Sequence, residues 1–215
     1  ELMRRNGHSD AAIELAQLGA DVTLLARGSE SLQRALDELP RVDAAQKHGF
    51  IAADMNAHAA LRAQVEAVAN ASAVSILVNN SGGPPGGSAH AAALDDFRIA
   101  FNQHLIAAQI ILQAILPGMQ ASGYGRIINV ISTSVKEPIR NLGVSNTIRG
   151  AVASWAKTLA TELGSHGITV NNVLPGYTRT QRLDQILADR SNASGNSEQQ
   201  VAEAMLATVP ARRFA

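Results

Sequence analysis

Apolar residues fall along the chain in two rhythms. Short, nearly continuous runs rich in β-branched residues occur at Asp21–Arg27, Gly49–Met55, Val74–Asn80, Ile127–Ile131 and Ile168–Leu174. Such runs suit strands buried on both faces of a parallel sheet. Between them lie longer stretches whose apolar residues recur every three or four positions, the period of a helix with one buried face. These stretches predict a helix over Ala11–Ala20 that ends at Gly19, one after Gly28-Ser29, and one over Ala57–Asn70. A long helix is expected from an Asp95 or Asp96 cap to Met119, with Ile99, Leu105, Ile106, Ile110 and Leu112 as its apolar positions. Another runs from Ser145 to Leu163, with Ile148, Val152, Trp155 and Leu159 at helical spacing. Leu183–Val209 has weaker periodicity and carries a polar patch, Arg190–Gln200. The alternation of strand and helix predicts an α/β protein with a doubly wound parallel sheet.

Composition narrows the functional classes more than it alters the fold. A length of 215 residues fits one domain with ample chain for a core. Lys plus Arg and Asp plus Glu each total 18, so zero net charge gives no steering toward nucleic acid or an anionic membrane surface. Cysteine is absent, which excludes disulfides, thiolate nucleophiles and thiolate metal sites and fits a cytoplasmic setting. The most apolar stretch, Leu105–Met119, is interrupted by Gln109 and Gln113 and is read as too short to cross a bilayer. The N-terminal ELMRRNGHSD lacks the apolar core of a signal peptide. No repeat occurs, the six histidines show no metal-ligand spacing, and G-x-S-x-G is absent.

Candidate chemistry gathers where the predicted strands end. In open α/β sheets ligands bind outside the carboxyl ends of the strands. Ser132, Thr133 and Ser134 follow the Ile127–Ile131 run. Ser145 and Arg149 are four apart and therefore share a helix face. Asn79 and Asn80 leave another strand just before Ser81 and Gly82, where glycine permits close approach of a ligand. Pro175 and Gly176 fix a turn ahead of Thr180. Asp54 follows a strand as either a ligand contact or a cap for the next helix.

The N-N-S-G of Asn79–Gly82, the strand ending at Ser132 and the P-G-x-x-x-T of Pro175–Thr180 resemble the short-chain dehydrogenases/reductases. Bacterial relatives of 3-oxoacyl-acyl-carrier-protein reductases are particularly similar, and the resemblance covers nearly the whole chain. It implies a Rossmann-like fold and an NADP-dependent oxidoreductase, with NAD less favoured, that interconverts a carbonyl and a secondary alcohol of a small molecule. A homodimer or homotetramer is implied as well. By resemblance, Arg27 would accommodate the ribose 2′-phosphate, and Asp54 and Met55 would hold the adenine. Asn80, Ser81, Gly82, Pro175 and Gly176 would contact the cofactor, Thr180 would bond the nicotinamide carboxamide, and Ser132 would bond the substrate oxygen. The Gly83–Ala93 loop and a lid over Leu183–Val209 would select the substrate.

Three departures from the family pattern stand out. The family tyrosine falls on Ser145, its lysine on Arg149 and its active-site asparagine on His104. An aliphatic hydroxyl ionises far less readily than a phenol of pKa about 10, and a guanidinium of pKa above about 12 hardly relays a proton. The proton would then come from water organised by Ser132 and Ser145, or from His104 or Tyr177. The family's first strand and G-x-x-x-G-x-G turn are also not found, Gly7 being the only glycine before Gly19 and His8 falling near the last glycine of the pattern. The expectation is a single Rossmann-like domain over 1–215, cut short at both ends and lacking the first and the C-terminal strand. Two other readings stay open: a non-redox nucleotide-binding or regulatory protein on this fold, and a site repurposed for dehydration or isomerisation.

Overall fold

The computed structural model describes residues 8–215. Its elements are α1 (His8–Gln17), β1 (Thr23–Ala26), α2 (Ser29–Asp37), β2 (Gly49–Ala52), α3 (His58–Ala71), β3 (Ile76–Asn79), α4 (Leu94–Phe101), α5 (Ala107–Ser122), β4 (Gly125–Val130), α6 (Gly143–Leu163), β5 (Ile168–Val173), α7 (Gln181–Ser194) and α8 (Glu198–Ala207). All strand pairing among the described residues is parallel, β1 with β2 and β3-β4-β5 in that order. The fold is the Rossmann-like α/β arrangement expected from the strand–helix alternation. Gly7, the one glycine in the stretch where the family's Gly-rich turn was not found, lies outside the described residues.

The core forms where α3, α5 and α6 press on the sheets. Leu61, Leu112, Met119, Ile127 and Ile168 are almost fully buried and belong to one apolar cluster, against which Leu25 of β1 and Leu77 of β3 also pack. Burying each such side chain stabilises the fold by about 1.5–3 kcal/mol. Two glycine contacts set the approach of helix to strand. At Gly125 a Cβ would lie 2.7 Å from the Met119 sulfur and 3.0 Å from Ile168 Cγ1, so glycine lets both of these core side chains pack against β4 without being displaced. Gly167 has φ +70, and a Cβ there would overlap the carbonyl of Gly123, which ends α5 in the left-handed conformation.

Several boundaries differ from the sequence pattern for local reasons. Neither Asp95 nor Asp96 is the cap of α4: Ala93 holds that position, Asp96 accepts its N–H at 3.2 Å, and Asp95 bonds to Arg98. Helical backbone then continues without a break from Leu94 to Ser122, 29 residues, passing through a π-helical turn at Asn102–Ile106. That run is long and apolar enough to cross a membrane by length and composition alone, as a core helix also can be. Its residues Ala107, Ile110, Ile111, Leu112, Ile115 and Met119 face the core cluster. The weakly periodic Leu183–Val209 folds as the α7–α8 hairpin. It is closed by Leu183, Val201 and Met205 against Tyr177 and Phe214, a core too small to impose a strong period.

Candidate active site

Strands β3, β4 and β5 end together, and a row of asparagines crosses them. Asn79, Asn129 and Asn172 are register partners. Asn79 Nδ2 donates to Asn129 Oδ1 at 2.9 Å, and Asn129 Nδ2 donates to Asn172 Oδ1 at 3.1 Å. Asn129 is only 1% exposed, so a missing partner would strand a buried amide. The ladder fixes the relative height of the three carboxyl ends. Sequence reasoning missed it, although the signal was present as asparagine near the end of each of three strands.

One step beyond the ladder sit three of the expected site residues. Arg149, in α6, donates from Nη1 to the Val130 carbonyl at 2.8 Å and from Nη2 to the Ser81 carbonyl at 3.3 Å. A permanent cation thereby joins the ends of β3 and β4 through a carbonyl at the end of one strand and a carbonyl just past the other. Ser81 Oγ lies 2.7 Å from His104 Nδ1. His104 comes from the π-helical turn, whose extra residue widens the helix and re-aims the side chain, a device frequent at functional sites. The ring is 6% exposed and its Nε2 is buried with no hydrogen-bond partner of ordinary geometry among the described residues. Burial first, and the Arg149 charge second, lower its pKa from 6.5 to about 4, against an opposing pull from the Gly82 backbone. At neutral pH His104 is therefore uncharged.

Ser132 ends the strand segment with its Oγ accepting the Ser134 N–H at 3.0 Å. That contact uses a lone pair and leaves the O–H proton to be donated. Ser145 is half-buried in the first turns of α6, one turn before Arg149 on the same face. The connecting loop is tied down where Asn146 Nδ2 donates to the Ile139 carbonyl at 2.8 Å. Thr133 N–H reaches the Pro175 carbonyl at 3.4 Å, which couples the Ser132 turn to the Pro175–Gly176 turn.

The remaining expected residues divide by strand. Asn80 is half-buried just past β3, and Gly82 and Gly176 have open space where a Cβ would stand, as a surface approached by a ligand requires. Thr180 is the N-cap residue of α7; its hydroxyl donates to the Thr178 carbonyl at 3.4 Å and accepts no N–H of the helix. Arg27 is exposed beyond β1. Asp54 does not cap α3, which begins after Ala57; its carboxylate closes its own turn by accepting the Asn56 N–H at 2.9 Å. Met55 packs partly into the core cluster. Arg27, Asp54 and Met55 thus follow the β1–β2 sheet, whereas Ser81, His104, Ser132, Ser145 and Arg149 cluster around β3 and β4.

A parallel α/β sheet with polar, charged and glycine-bearing loops at its carboxyl ends defines the class of nucleotide-dependent α/β enzymes. The chain belongs to the short chain dehydrogenase family, whose model matches residues 9–191, and it is an oxidoreductase of that family. It is 31% identical over 206 residues to ketoacyl reductase 1 of the granaticin polyketide synthase of Streptomyces violaceoruber, an alignment covering 94% of this chain and 75% of that protein. Among solved structures it is similar to the L-sorbose reductase of Gluconobacter frateurii complexed with NADPH and L-sorbose. There the TM-score is 0.87 at 26% identity, over 99% of this chain and 81% of that one. An actinorhodin polyketide ketoreductase variant with NADPH also gives a TM-score of 0.87, at 28% identity over 97% and 80% of the two chains.

Proposed function

We propose that the chain is an NADP(H)-dependent oxidoreductase that interconverts a carbonyl and a secondary alcohol, with Ser132, Ser145 and Arg149 in place of a serine–tyrosine–lysine set. The observation that carries this reading is the double anchoring of Arg149 on the Val130 and Ser81 carbonyls. It puts a fixed positive charge between the loop that would face the cofactor and the strand end that bears Ser132. The NADPH held by two of the similar structures supports the choice of cofactor, as does the basic Arg27, which suits a 2′-phosphate better than a free hydroxyl. Open space at Gly82 and Gly176 fits a ligand lying against the strand ends. In this reading Arg27, Asp54, Met55, Asn80, Ser81, Gly82, Pro175, Gly176 and Thr180 hold the cofactor. Exposed Leu94 and Phe101, seven residues apart on α4 and so on one side of it, give an apolar strip for a homo-oligomer.

Bound NADPH supplies the hydride. Ser132 donates its O–H to the substrate oxygen as negative charge develops there. Arg149 adds a field of the right sign but keeps its protons. His104 is a neutral positioning residue that fixes the Ser81 hydroxyl, because a ring with pKa about 4 carries no acidic proton to give at pH 7. The proton for the product oxygen comes from water held by Ser132 and Ser145. Loss of a dedicated general acid slows such chemistry by about 10²–10⁴-fold.

The test is fluorescence titration with NADPH and NADH of the wild type and Arg149→Ala, followed by NADPH consumption over a carbonyl panel. Tighter NADPH than NADH binding, weakened by Arg149→Ala, with slow turnover, is expected. Failure to bind either nucleotide would refute the reading. Binding without turnover of any carbonyl would favour the non-redox alternative, which the absence of a phenol at Ser145 and the neutral His104 also favour.

A further inference from the structure

A cleft lies between the loop that leads into α6 and the α7–α8 hairpin. Its volume is about 420 Å³, and its walls include Arg140, Asn141, Tyr177, Arg190, Asn196 and Gln200. Among the described residues, two guanidiniums line it and no carboxylate does. Neither Arg140 nor Arg190 has an ion-pair partner among the described residues. Several of the polar groups here have their acceptor atoms engaged elsewhere: Gln200 Oε1 takes the Ser197 N–H at 2.9 Å, and the Asn196 carbonyl takes the Ser191 hydroxyl at 2.7 Å. The Gln200 amide N–H groups stay available, so the lining is biased toward donors.

Both walls are held in place. Asn141 adopts φ +60, an uncommon conformation for a residue other than glycine. Its carbonyl accepts the Gly87 N–H at 2.8 Å, and Gly143 N–H returns a bond to the Gly87 carbonyl at 2.9 Å. Gly143 fits only because it has no side chain, since a Cβ would overlap the backbone of Ala89. On the other wall the Ser197 hydroxyl caps α8 by accepting the Gln200 N–H at 3.2 Å, and Val201 and Met205 anchor the hairpin from below. The chemistry-bearing segments open onto this space from both sides: Arg140 lies in the stretch joining Ser132 to Ser145, and Tyr177 lies between Pro175 and Thr180.

We infer that this cleft seats the substrate's anionic end: the carbonyl or alcohol that the enzyme converts carries a carboxylate or phosphate group, bound between Arg140 and Arg190. The inference rests on the proposed oxidoreductase reading and names the substrate class for that site. A planar guanidinium pairs with either oxyanion through two parallel hydrogen bonds, and two such groups on opposing walls select for charge while the rest of the cleft tolerates differences in carbon skeleton. Arg27 is a separate anion site, beyond the other sheet.

The experiment compares matched pairs: levulinate against methyl levulinate, and dihydroxyacetone phosphate against dihydroxyacetone. NADPH consumption gives kcat and KM, and calorimetry in the presence of NADP gives binding of levulinate and inorganic phosphate without turnover. The charged member of at least one pair should be preferred in kcat/KM by about tenfold or more, mainly through KM, tenfold being 1.4 kcal/mol. The pair that responds tells carboxylate from phosphate. Arg140→Ala and Arg190→Ala should each bring the charged-to-neutral ratio toward one, and Arg140→Lys should restore part of it. If no compound is turned over, saturable binding of levulinate or phosphate that weakens in both alanine variants upholds the anion site while the oxidoreductase reading fails. Equal or better use of the neutral partners, or anion binding unaffected by both substitutions, would overturn the inference, as would no binding of either anion.

Discussion

The buried imidazole of His104 should make the fold sensitive to mild acid. In the unfolded chain this group titrates near 6.5, whereas in the folded protein burial and the Arg149 charge hold it at about 4. Between those values the unfolded state binds a proton that the folded state resists, so stability falls as pH falls. At about 1.36 kcal/mol per pKa unit the full difference is roughly 3 kcal/mol, a large part of a total stability of about 5–15 kcal/mol. The loss is absent above about pH 7 and complete near pH 4. Carboxylates titrate in the lower half of this window, so the quantity to measure is a difference between proteins. Urea unfolding at a series of pH values should be run on the wild type and on His104→Asn, which keeps a polar group at the site and removes the titration. The gap between the two stabilities should change by about 3 kcal/mol from pH 7.5 to pH 4, with the wild type losing more. Parallel pH dependences would show that the ring is not buried and neutral in the folded state, and would remove the positioning role assigned to it.

Arg149→Gln should raise the His104 titration midpoint from about 4 but leave it below 6.5, because burial, the larger cause, persists; ring-proton NMR of the two proteins measures this, and no change would mean the charge is not near the ring. Gly143→Ala should destabilise the protein by about 1–3 kcal/mol, since the new Cβ would overlap the Ala89 backbone and force the two segments apart. Denaturant unfolding checks that figure, and a neutral outcome would place α6 further from the Gly83–Ala93 loop. Asn129→Ala should cost about 1–3 kcal/mol by leaving the amides of Asn79 and Asn172 without their partner, whereas Asn171→Ala, exposed one position earlier on β5, should have little effect.

Legibility of the chain followed the range of the interactions involved. The β-branched runs announced the five strands of the described residues because burial between helices leaves a continuous apolar signature; four of them fall inside the predicted stretches, and β4 starts two residues earlier, at Gly125. The family likeness was legible from Asn79–Gly82 and Pro175–Thr180, where turn chemistry demands particular residues. The π-helical turn was invisible, since one extra residue in a long apolar helix leaves its period nearly intact. The Asp95/Asp96 cap was misplaced by two or three positions because an acidic residue at the third helical position satisfies the same N–H groups from inside. The Ser81–His104 pair, 23 residues apart in sequence, and the Arg149 anchors, up to 68 residues apart, exist only once β3, β4 and α6 meet. No local pattern encodes them. The cleft carrying Arg140 and Arg190 is lined by one of the two segments expected to choose the substrate, Leu183–Val209, and not by Gly83–Ala93; its charge became readable only when the fold brought two guanidiniums 50 positions apart in sequence to one space.

These long-range contacts also explain how Ser145 and Arg149 can stand together without the phenol and amine they resemble. A lysine amine lowers a neighbouring phenol's pKa, and that service has no use when the neighbour is an aliphatic serine. What remains useful at this position is a fixed cation that ties strand ends together, and a guanidinium reaching two carbonyls at once does that better than a single ammonium. Burial, helped by the same charge, keeps His104 neutral, and a neutral His104 can hold Ser81 without placing a second cation beside the Ser81–Gly82 loop. Restoring tyrosine alone at Ser145 would therefore leave a phenol beside an arginine, which favours the phenolate but cannot pass it a proton. Ser145→Tyr combined with Arg149→Lys should raise carbonyl reduction above either single change, as non-additive kcat values in a double-mutant cycle. Additive effects would mean that these two positions act independently, and that the site has moved to a different division of labour altogether.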